Sequence, residues 1–108
     1  MLNQAAAAIL VCGDLDRAFP PAPDFWVIDA AIAAQNMTLA ANDLGIGSVW
    51  LGTWPDEKRM KRQAAIFQLP ETIVPHSILA LGYPAEDIDM RAVRPSRYEE
   101  NRVHVNQW

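Results

Sequence analysis

Cysteine is almost missing from this chain: 108 residues hold one, Cys12, so no internal disulfide framework exists and a reducing compartment fits. Long hydrophobic runs are missing as well. The longest, Ala5 to Cys12, is far too short to cross a bilayer, and no basic stretch precedes it as a signal peptide requires. Together these absences predict a cytoplasmic protein with no membrane partner. An excess of positive charge is also lacking. Nine Lys and Arg against 13 Asp and Glu leave a formal net charge of −4, which argues against a sequence-independent grip on nucleic acid. The basic residues gather in two places, Asp56 to Arg62 and Arg91 to Trp108, which read as solvated surface or as a hold for a phosphate group.

The usual catalytic constellations are absent too. No nucleophile elbow, phosphate-binding P-loop, HExxH or cysteine–histidine metal spacing occurs. His76 and His104 lie far apart and read as surface residues flanking loops. Glu86, Asp87 and Asp89 lack the spacing of an ion-binding loop, and Asn36-Met37-Thr38, a formal glycosylation sequon, falls inside a helix. Cys12 sits in an apolar run and reads as a packed small hydrophobe rather than a nucleophile. No catalytic residue can be named. A chain with no acid–base kit can still be an enzyme if a cofactor carries the reaction, the protein supplying a phosphate clamp, a dipole at the cofactor ring and a shaped pocket.

What the chain does have is the stretch from Asp24 to Gly52. The spacing predicts a helix of about twenty residues, roughly 30 Å long, with Asp24 as its N-cap. Phe25, Ile28, Ile32, Gln35 and Leu39 follow steps of three and four, and alanines such as Ala30, Ala34 and Ala41 cover much of the rest. A helix apolar on more than one face needs more than one cover, and in a short chain a second copy supplies it. Gly45 closes the helix in the left-handed conformation, and Ser48 to Gly52 comes next as a short buried strand.

Around this stretch the remaining elements fall into place. Ile9 to Cys12 predicts a core strand buried on both faces, and Asp14 to Pro23, with three prolines, a loop. Trp54-Pro55-Asp56-Glu57 opens a second helix whose apolar face is Met60, Ala64, Ala65 and Phe67, ending before Leu69-Pro70-Glu71. Ser77 to Pro84 is another buried strand, leaving through a Gly-x-Pro turn. From Ala85 the chain becomes polar and arginine-bearing. A tail ending in Val103, Val105 and Trp108 calls for a surface to pack on, and a partner subunit is the candidate. The whole, residues 1–108, reads as one domain.

The residues carry a resemblance. Asp29 to Met37, Leu39-Ala40-Ala41 and Leu44 to Gly52 resemble the nitroreductase family of FMN-dependent oxidoreductases, and further pieces come in order. These are Leu69-Pro70-Glu71, Leu81 to Glu86, then Arg97-Tyr98, Val103-His104 and Trp108. The resemblance implies an α+β fold, a mainly antiparallel sheet flanked by helices, built as an intertwined homodimer about a long central interface helix. It implies FMN as cofactor, NADH or NADPH as co-substrate, and a nitroaromatic, quinone or similar small molecule as electron acceptor. Carried over by position, Trp50, Leu51 and Gly52 match the strand end whose backbone runs beside the flavin ring. Arg97 matches the arginine that reaches the FMN phosphate, with Arg94 as a second. For Trp50 core packing is the competing role, and for Arg94 a place in solvated tail.

One departure stands out. Family members begin with a helix carrying an arginine- and serine-rich phosphate-binding motif, and a later Asn-x-Gln-Pro-Trp-like segment contacts the ring. This chain starts with Met1-Leu2-Asn3-Gln4 directly before its first strand. The expectation is a single, N-terminally incomplete domain: the C-terminal part of a longer protein, or a short member. The alternative function is a non-enzymatic, dimerising remnant that no longer holds FMN.

Overall fold

The computed structural model describes residues 2–89, 92 and 95–108. Two helices and three strands form its frame in the order β1 (Ala7–Asp14), α1 (Trp26–Asp43), β2 (Gly47–Gly52), α2 (Glu57–Phe67) and β3 (Ile73–Gly82). The strands make one antiparallel sheet in the order β1-β3-β2. Because β3 is central, it takes the burial: Pro75 to Ala80 are all buried, as a strand with neighbours on both edges demands.

That order corrects two expectations. β1 is an edge strand rather than a core strand buried on both faces. Its first residues are exposed, and from Val11 burial alternates, with Val11 and Gly13 inside. β2 is the other edge, with Val49 and Trp50 exposed, and not a buried strand. An apolar run and an edge strand with one covered face look alike in sequence, because the run does not record how many neighbours the strand has.

α1 spans the residues expected, but Asp24 does not cap it. Pro23-Asp24-Phe25 form a 3-10 turn, and Phe25 holds the N-cap position with no side-chain cap. Proline pre-sets a helical φ, so the chain is already wound where a capping aspartate would need extended backbone. At the far end Gly45 takes φ 73°, the Ile46 N–H donates to the Ala41 carbonyl at 2.8 Å, and the Gly45 N–H donates to Asn42 at 3.1 Å. This pair of bonds is the Schellman closure that a left-handed glycine permits. The inward side of α1 carries Ala30, Ala34 and Ala41. With Val11 and Leu79 the first two form the core, against which Trp26 and Met37 pack. The small side chains bring the helix close to the sheet. Its outward side leaves Phe25, Ile28, Ile32 and Leu39 more than half exposed.

α2 begins at an Asp56 N-cap, whose carboxylate accepts from the Lys58 and Arg59 amides at 3.0 and 3.1 Å. The residues it turns inward are Met60, Gln63 and Ala64. Ala65 and Phe67, expected on that face, are exposed. The tail, residues 95–108, is exposed throughout and finds no cover within the chain. The accessible surface totals 8986 Å², against about 6,000 Å² for a compact chain of this mass. The radius of gyration of 17.1 Å likewise exceeds the roughly 13 Å of a compact fold.

Candidate functional site: the outer edge of β2

Trp50, Leu51 and Gly52 close the edge strand, and the next two residues pin them. The Thr53 and Trp54 amides both donate to the His76 carbonyl, at 3.1 and 3.0 Å. His76 is free to receive both because it is the extra residue of a β-bulge: Val11 pairs with Ser77 and Cys12 with Pro75, leaving His76 between them. Pro75, which cannot donate to a ladder, is tolerated in this central strand at that irregularity. Thr53 is buried, and its hydroxyl donates to Gln63 Oε1 on α2 at 3.0 Å.

Strand residues alternate in the edge to which they turn their N–H and C=O. Thr53 directs its amide at β3, so Gly52 directs both backbone groups outward, away from the sheet. Its carbonyl is met there by Arg59 Nη1 at 3.1 Å. A Cβ placed on Gly52 would meet nothing within 4 Å, so the strand end faces open space with no side chain of its own in the way.

Trp50 is 36% exposed, and part of its indole is packed, as the core-packing role weighed for it requires. Its ring meets the His76 imidazole edge-on at 5.9 Å and 65°, His76 meets Trp26 at 6.0 Å and 82°, and Trp26 meets Trp54 at 6.4 Å and 84°. His76 is therefore not the surface residue expected from its loop-like flanks; it is buried under tryptophans. Its Nδ1 lies 3.1 Å from Ser77 Oγ, and burial pushes the imidazole below its usual 6.5. A buried ring in a wedge of aromatics supports the β2 end as packing.

The other candidates are not gathered here. Arg97 is exposed in the tail, and no hydrogen bond, ion pair or ring contact among the described residues joins it to β2. Arg94 lies outside the described residues. A groove of about 350 Å³ lies at the opposite end of β2, lined by Gly47, Ser48, Val49 and Tyr83 among others, and Trp50, Leu51 and Gly52 take no part in it. Cys12 lines a separate cleft with Asp14, Arg17 and Asp29, where burial raises its thiol and so disfavours the reactive thiolate.

A family model described as the nitroreductase family matches residues 1–83, a span that contains all five elements and the whole β2 edge. The chain belongs to the nitroreductase family. A relative from Archaeoglobus fulgidus, provisionally named an NADH dehydrogenase/NAD(P)H nitroreductase, is 44% identical over all 108 residues, which cover 61% of that protein. A crystal structure from Clostridium acetobutylicum, provisionally named an NADH oxidase, superposes with a TM-score of 0.85 at 32% identity, covering 96% of this chain and 60% of that one. A structure from Clostridium difficile R20291, named an FMN-dependent nitroreductase, gives 0.78 at 28% identity, over 96% and 59%. The chain thus spans about three-fifths of the length of these nitroreductase-type proteins. The antiparallel sheet with flanking helices is the α+β nitroreductase fold that the resemblance implied.

The β2 edge is an open strand edge with an outward N–H at Gly52, and the Arg59 guanidinium stands on the Gly52 carbonyl beside it. Sequence reasoning found this edge through the resemblance but missed Thr53, Arg59, Gln63 and His76, which hold it. Two local signals were available. Pro75 inside an apolar strand marks a bulge, and Asp56 with Arg59 three residues on marks a helix entry that can reach back to the strand.

Proposed function

We propose that the chain belongs to an FMN-dependent oxidoreductase that takes hydride from NADH or NADPH and delivers it to a nitroaromatic, quinone or similar small acceptor. The observation that carries this reading is the family match over the residues that build the β2 edge. The FMN dependence named for the Clostridium difficile relative supports it. When bound, FMN supplies the ring that accepts hydride and passes it on.

The chain's own residues do the rest. Trp50, Leu51 and Gly52 line the ring with backbone, and a fixed N–H at that edge stabilises negative charge without having to reorganise. Arg97, with Arg94, holds the phosphate, where a planar guanidinium donates two parallel hydrogen bonds. The partner is a second copy of the chain, which covers the outward face of α1 and receives the tail. Among the described residues no helix is long and apolar enough to cross a membrane. The single cysteine supports the cytoplasmic placement we propose.

Steady-state oxidation of NADH and of NADPH, with FMN present and with a nitroaromatic and a quinone in turn, tests the activity. Turnover that requires both FMN and an acceptor is expected. Oxidation that neither FMN nor acceptor accelerates, with either nucleotide, contradicts the reading.

A further inference from the structure

The peptide joining Gly52 to Thr53 is held at both ends. Its N–H donates to the His76 carbonyl at 3.1 Å, and its C=O accepts from Arg59 Nη1 at 3.1 Å. Arg59 is itself aimed, because its Nε lies 3.2 Å from Asp56 Oδ2 while Asp56 Oδ1 caps α2. The Thr53 hydroxyl bond to Gln63 Oε1 fastens the same helix to the same corner. One helix therefore grips the strand end through two side chains, four residues apart on α2.

An exposed strand edge presents carbonyls as well as amides. A bare carbonyl at Gly52 would oppose any negative charge developing beside the edge; the guanidinium offsets that carbonyl, while its own charge is balanced by the Asp56 carboxylate at 3.2 Å. We propose that Arg59 is a positioning residue for the cofactor edge. It holds the Gly52 carbonyl so that the strand end offers its outward N–H to the flavin ring with the neighbouring carbonyl masked. This inference rests on the FMN reading above and assigns a role to a residue that does not line the ring.

The test compares wild type, Arg59→Gln and Arg59→Lys in three readouts: FMN dissociation constant, midpoint potential of the bound flavin, and the Thr53 amide resonance of the flavin-free chain. Glutamine keeps helix propensity and length, so α2 is expected to persist. Because the Arg59 side chain is 65% exposed, solvent screens the effect; FMN binding is expected to weaken about two- to fivefold. In Arg59→Gln the potential shifts negative and the Thr53 amide resonance moves, and Arg59→Lys recovers most of each change. Lower stability in Arg59→Gln with unchanged flavin affinity and potential overturns the inference and leaves the functional reading standing. A wild-type chain that takes up no FMN overturns both.

Discussion

His76 lies buried in the central strand β3, where its imidazole meets the Trp26 and Trp50 rings edge-on. Its folded-state pKa lies below the usual 6.5, so the unfolded chain binds a proton at a higher pH than the folded one. Stability is therefore full above 6.5 and declines as pH falls below that value, until the buried ring also protonates. Chemical denaturation monitored from neutral to mildly acidic pH should show this decline, and His76→Phe should flatten it. Gly13 makes a second residue-scale prediction. A Cβ built there would run into the Trp26 ring, so Gly13→Ala should cost about 1–3 kcal/mol, measured by urea unfolding. The close approach of an indole to a glycine backbone leaves no mark in sequence, because Trp26 and Gly13 are separated by a proline-rich loop.

Element by element, the sequence was most legible where local rules decide. The Gly45 closure of α1, the Asp56 start of α2 and the stop before Pro70 are each set by a few neighbouring residues, and all stand in the fold. What was illegible was strand order. Nothing local distinguishes the central β3 from the edges β1 and β2, since pairing partners lie up to 74 residues apart, as Ala7 and Leu81 do. The resemblance found the β2 end, but not the α2 side chains that hold it. Asp56 carries the element-scale prediction. Replacing it with alanine removes the cap of α2 and the orienting partner of Arg59, and should cost about 1 kcal/mol, read as a lower denaturation midpoint with unchanged slope.

At the scale of the whole molecule, the chain exposes far more surface than its mass requires. The outward face of α1 and the apolar tail residues Tyr98, Val105 and Trp108 are part of that excess. Surface of this kind calls for a cover. Sedimentation of the wild-type chain should give twice the monomer mass, and Ile28→Lys with Ile32→Lys on the exposed face of α1 should shift it toward monomer. A wild-type chain that stays monomeric at high concentration contradicts the dimer proposal. The functional claim rests on the β2 edge, and it is tested most directly by the visible spectrum of the purified chain after incubation with FMN and removal of free flavin. A protein-bound flavin band is the result expected; a colourless protein contradicts the claim that this chain and its dimer mate complete a flavin site at this edge.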